Sequence, residues 1–198
     1  MSDLSDLLLT GLLNHGSLLL GLVLFLAALG VPLPATMLLL AAGAFARQGV
    51  LPWLSAALAG MTGAVLGDFA SYAVGRQAGQ RLPVRLTSTA AWREAADRFA
   101  RWGAWTVFFS RFLLTPIALP INLLAGSTGF AWGRFALAVL TGEVIWVLLF
   151  GGLGAVFAGS WEALSALAGD VAGLALGGVI AAIGLWRLWS AHRSRPSP

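Results

Sequence analysis

Arg111 is the residue of this chain that most needs a chemical account. It stands in FFSRFLLTPIALPINLLAG, residues 108–126, among almost unbroken apolar neighbours. An arginine inside an apolar span is costly and faces a partner or a wet cavity. Its guanidinium suits bidentate binding of a phosphate. The plainer account is that its long side chain reaches back to the headgroups. Asp68, Tyr72 and Arg76 fall at i, i+4 and i+8 on one helix face. Asp68 could relay protons with Tyr72, or hold a fixed salt bridge to Arg111 or Arg76. Glu143, in TGEVIW, is the second deep acid. Pairing Glu143 with Arg111 would be the least costly way to bury both. Asn122 and Thr115 flank a proline turn, and Thr36 holds the matching place near an earlier one. These three either cap broken helix ends or help aim helix N-termini at an anionic headgroup. Pro32, Pro34, Pro116 and Pro120 are assigned to shape alone.

The elements that must position these residues are membrane elements. The 198 residues are 59% hydrophobic and only 10% charged, against about 25% charged in a soluble domain. Mean hydropathy is +0.86. The length suits one compact membrane domain. There is no cysteine, and the two histidines, His15 and His192, lie near the chain ends. A protease, phosphatase or metalloenzyme centre inside the membrane therefore lacks its parts, so no enzyme activity, metal or cofactor is expected. The net charge of +4 comes from arginines in segments that flank the membrane, so nucleic acid is not an expected partner. The acidic start MSDLSDLLLTGLLNHG has neither a basic n-region nor a small-residue cleavage site, and is read as mature protein.

Residues 1–15 form a Leu-rich interfacial segment, too short for a crossing of about 20 residues. Residues 16–48 give two short apolar arms around VPLP. Pro32 and Pro34 cannot both continue a helix, so a re-entrant hairpin is expected. Residues 53–75 are long enough to span. Residues 88–101 are amphipathic and are expected to lie on the membrane surface, with Arg93–Asp97–Arg101 and Glu94–Arg98 paired at i,i+4. Residues 102–131 repeat the hairpin pattern and 132–158 form a second span. The domain is taken as 16–160, followed by a C-terminal transmembrane helix at 161–190 and a disordered basic tail at 191–198.

PLPATMLLLAAGAF and ALPINLLAGSTGF share a proline turn, a short apolar helix, a small residue before glycine and a following phenylalanine. Each is followed by a full span, which makes a weak two-unit repeat. The arginines of 76–101 and of the tail place both segments in the cytoplasm, so the hairpins open to opposite sides. Inverted repeats built from broken helices are a transporter plan, with the site where the repeats meet. The expected fold is an all-α integral membrane protein: two inverted re-entrant hairpins, about three full transmembrane helices and a surface amphipathic helix.

The order of PLPATMLLLAAG, GAVLGDFASYAVGR, RFLLTPIALPINLLAG and GRFALAVLTGEVIWVLLFGGLG resembles the DedA family of VTT (SNARE-associated) domain proteins over residues 16–158. The resemblance implies a multi-pass bacterial inner-membrane protein with two opposed re-entrant hairpins. It also implies translocation of undecaprenyl phosphate or phospholipid, and links to proton-motive force and envelope integrity. Two positions depart from the family pattern. Thr36 stands where many members have a glutamate, and Ile117 where many have a second arginine. A proton mechanism that needs the acid of the first hairpin does not carry over.

The expected function is a lipid flippase. Arg111, Asn122, Thr36, Thr115 and Arg76 would bind substrate, while Asp68, Glu143 and Tyr72 carry protons or balance charge. A small-anion or ion transporter and a non-transporting envelope scaffold are the alternatives. A wide lateral opening would favour lipid, a narrow pore ions, and a dry, fully paired arginine cluster the scaffold. Membrane lipids are the expected partners, and a homo-oligomer is compatible with this plan.

Overall fold

The computed structural model describes residues 2–83, 85, 88–112 and 117–160. Thr115, Pro116, the expected C-terminal transmembrane helix and the basic tail lie outside the described residues. Six helices are seen among the described residues: α1 (Ser2–Ala28), α2 (Ala35–Arg47), α3 (Trp53–Gln80), α4 (Ala90–Phe112), α5 (Ala118–Ser127) and α6 (Trp132–Val156). No strand occurs among the described residues.

Local chemistry explains most boundaries. Gly16, at φ 55° and ψ −134°, breaks α1 and separates the first segment from an apolar helix of His15–Ala28. At the end of α1, Gly30 takes φ 98°. Its N–H donates to Ala27 O at 2.9 Å and that of Val31 donates to Leu26 O at 3.1 Å. This is a Schellman closure, which needs a residue with positive φ. The same closure ends α2 at Gly49 and α5 at Gly129. Pro32 and Pro34 then carry the chain without helix to α2. Pro120 sits in the first turn of α5, where its missing N–H would have no helical partner.

α3 and α6 are long and apolar enough to cross a membrane; His15–Ala28, α2 and α5 are shorter apolar helices. The outward face of α6 is apolar, with Leu137, Leu140, Val144 and Leu148 exposed at helical spacing. One element differs from expectation. Residues 90–101 are not a separate surface helix but the first half of α4, which runs unbroken to Phe112. Nothing between Arg101 and Trp102 stops it, and Gly103 packs against Phe99 and Phe130 so that the buried stripe continues. The Glu94–Arg98 pair forms at 2.5 Å, whereas Arg93 turns back to donate to Ser88 O at 2.8 Å.

The helices pack as two crossed units. α1 lies along α3, and α4 along α6, within each unit. The short second arms cross over: α2 packs chiefly on α6, and α5 on α3. Small residues bring these backbones together, since Gly43 meets Gly151, and Gly126 meets Tyr72 and Gly75. The crossing carries α5 and its Asn122 to the face of α3 that bears Asp68.

Candidate functional site

Four helices deliver polar side chains to a single buried point. α3 supplies Asp68, α4 Arg111, α5 Asn122 and α6 Glu143, all at most 5% exposed. Arg111 Nη1 pairs with Asp68 Oδ1 and lies 3.8 Å from Glu143 Oε1. Its Nη2 donates to Asn122 Oδ1 at 2.5 Å, and its Nε donates to Val107 O at 3.3 Å. Asn122 Nδ2 donates to Asp68 Oδ1 at 2.8 Å and to Ser71 Oγ at 3.0 Å. The orientation of the Asn122 amide follows from its neighbours, because only the oxygen can face a cation and only the NH2 a carboxylate.

The arginine therefore does not reach back to the surface, and every nitrogen of its guanidinium has an acceptor. The acids are less fully served. Asp68 Oδ2, Glu143 Oε2 and Trp146 Nε1 are buried without a hydrogen-bond partner among the described residues. One cation faces two carboxylates, and the group is neutral only when the acids together carry one proton. Arg111 is thus shared, with Asp68 as its close partner and Glu143 its more distant one. Asn122 does not cap α5: it is one turn inside that helix, whose N-cap residue is Ile117. Thr36, the second residue of α2, is half-buried, and no side chain caps that helix either.

Tyr72 and Arg76 belong to a different contact. The Tyr72 hydroxyl donates to Phe130 O at 2.5 Å and accepts from Arg76 Nη1 at 3.3 Å. Its ring packs among Trp132 and Phe135. No hydrogen bond joins it to Asp68 among the described residues. Ser71 and Trp146 escaped the reading for chemistry. Ser71 had one legible signal, its place one turn from Asp68.

Comparison with known proteins settles the family. Residues 33–156 match the VTT domain. The chain belongs to the VTT-domain (DedA) family. An uncharacterized membrane protein of Synechocystis is 30% identical over 178 residues, 80% of each chain. Uncharacterized membrane proteins of Mycobacterium tuberculosis and Mycobacterium bovis are 34% identical over 140 residues. That match covers 65% of this chain, which spans 63% of theirs. No solved structure matches. This VTT protein is thus a membrane protein of a family found in bacteria. Its central charges come from α3, α4 and α6, whereas the Thr36 position contributes none.

Proposed function

We propose that this protein is a transporter that moves a phosphate-bearing lipid, undecaprenyl phosphate or a phospholipid, across the bacterial inner membrane. The observation that carries the reading is the buried Arg111, set where helices of both units meet and flanked by two acids, each with an oxygen unpartnered among the described residues. Arginine is well shaped for a phosphate, and the junction of inverted repeats is where transporters place their sites. In this reading His15–Ala28 with α2, and the later part of α4 with α5, form opposed re-entrant hairpins. Residues 76–101 and the C-terminus face the cytoplasm. Asp68 and Glu143 exchange protons as the phosphate comes and goes, which couples transport to proton-motive force. The protein carries out no enzymatic step, and lipids are its partners, whether it acts alone or as a homo-oligomer.

A second reading, a non-transporting scaffold, is favoured by one observation: the arginine is enclosed and each of its guanidinium nitrogens has an internal acceptor. Liposomes holding labelled polyprenyl phosphate or phospholipid separate the two. Wild type moves label between leaflets and Arg111→Ala does not, if the proposal holds. Equal movement by both proteins removes Arg111 from the mechanism. Movement of soluble phosphate without lipid makes the protein a small-anion transporter, and movement of neither makes it a scaffold.

A further inference from the structure

Arg111 presents both Nη atoms to acceptor oxygens that come from two different helices. Asp68 Oδ1 takes Nη1 and Asn122 Oδ1 takes Nη2 at 2.5 Å. Two oxygens of one phosphate would offer a guanidinium the same pair of acceptors. An incoming phosphate must therefore compete with groups already in place. The two competitors are not equal. Displacing Asp68 would strand a carboxylate in a buried site already holding a second acid, Glu143. Displacing Asn122 strands no charge.

The helix that carries Asn122 is also the shortest of those that face Arg111. α5 is ten residues long and rests on α3 through small residues, with Gly75 against Leu123 and Gly126 against Tyr72. Its N-cap residue, Ile117, makes no side-chain cap bond. Asp68 and Glu143 instead sit within helices of 28 and 25 residues.

We propose that Asn122 is a selectivity residue: in the closed site its amide oxygen stands in for one oxygen of a phosphate ligand at Arg111 Nη2, and the ligand enters by displacing it. This rests on the reading of Arg111 as a phosphate ligand. A neutral amide sets the threshold for entry. Ligands that offer Arg111 only one weak acceptor do not repay the loss of Asn122, whereas a charged phosphate does. Asn122 thereby acts on what Arg111 accepts, as a positioning residue, while the ligand contact remains with Arg111.

The test is binding by the full-length protein in detergent. The probes are short-chain phosphatidic acid, inorganic phosphate and a neutral diacylglycerol of the same chain length. Removing an internal competitor raises apparent affinity. Asn122→Ala is expected to bind phosphatidic acid about tenfold more tightly than wild type, the effect of losing one charge-assisted hydrogen bond. Diacylglycerol binding is unchanged, and adding Arg111→Ala abolishes the gain. Asn122→Asp, which puts a charged competitor at Nη2, binds phosphatidic acid more weakly than wild type. If Asn122→Ala does not fold, Asn122→Ser, whose hydroxyl is too short to reach Arg111, carries the same expectation. Weaker binding by the folded Ala or Ser variant would make Asn122 a direct ligand and overturn the proposal. Unchanged binding would make it purely structural and overturn it equally. An Arg111-dependent gain with phosphatidic acid but not inorganic phosphate supports the proposal with lipid as the source. A gain with both supports it with phosphate alone as the recognised group. A gain without lipid movement in liposomes upholds this inference and removes only the transporter reading.

Discussion

Gly142 lies directly against the side chain of Arg111: a Cβ at that glycine would stand 2.5 Å from Arg111 Cγ and 3.1 Å from Phe108 O. The first unit contains the same contact. A Cβ at Gly67 would stand 2.6 Å from Ala28 Cβ and 2.6 Å from Phe25 O. Each glycine is followed by an acid, Asp68 after Gly67 and Glu143 after Gly142. The two units thus share one device, a Gly–acid step on the long helix that admits the end of that unit's own first arm. They differ in what the arm brings: Ala28 in one and Arg111 in the other. A single arginine then serves the acids of both units.

The first prediction concerns that contact. Gly142→Ala forces α4 away from α6, and overpacking of this kind costs roughly 1–3 kcal/mol. Gly133, on the same helix, has open space around it, so Gly133→Ala should shift stability by less than about 0.5 kcal/mol. Thermal unfolding of the purified protein, followed through its tryptophans, compares them. Equal melting of the two variants would refute the close-packing account.

A second prediction separates the arginine's charge from its bulk. Arg111→Met leaves Asp68 and Glu143 buried without their cation and should cost about 3–5 kcal/mol, as breaking a buried ion pair does. Adding Asp68→Leu and Glu143→Leu removes the stranded charges, and most of that loss should return. A triple variant no more stable than Arg111→Met would mean that the cluster is held by shape and not by charge.

Much of this arrangement was legible in the sequence, and the reasons for the rest are physical. Charged residues are so rare in the apolar segments that Asp68, Arg111 and Glu143 identified themselves. The breaks at Pro32 and Pro34 followed from proline's missing donor. The continuity of α4 was not legible, because a change from amphipathic to apolar sequence resembles a boundary although nothing in the backbone stops the helix. The partners of Asn122 were hidden for another reason. Near a proline turn an asparagine reads as a cap, and only the crossing of α5 onto α3 brings it between Arg111 and Asp68. Tyr72 misled in the opposite direction: helical spacing put it on the face of Asp68, but its hydroxyl reaches the turn at Phe130.

Ser71 supplies the third prediction. Its hydroxyl accepts from Asn122 Nδ2 at 3.0 Å and donates to Asp68 O at 3.0 Å. Asn122 Nδ2 keeps Asp68 Oδ1 when Ser71 is lost. Ser71→Ala should therefore cost only about 0.5–1.5 kcal/mol, the net value of an ordinary hydrogen bond. A loss as large as that of Arg111→Met in the same unfolding experiment would make Ser71 a principal support of the site.

The fourth prediction decides whether Tyr72 works with Asp68. Its hydroxyl donates to Phe130 O at 2.5 Å, and both residues are buried. Tyr72→Phe leaves that carbonyl without its donor, which should cost roughly 1–3 kcal/mol. The damage should be local. Amide exchange should quicken at the α5–α6 turn, residues 128–131, and stay unchanged around Asn122. Because the hydroxyl faces the turn and not Arg111, lipid movement per folded molecule should match wild type in the liposome assay. Loss of movement with stability and exchange intact would restore a proton path through Tyr72, and would require the hydroxyl to leave Phe130 for Asp68 during the transport cycle.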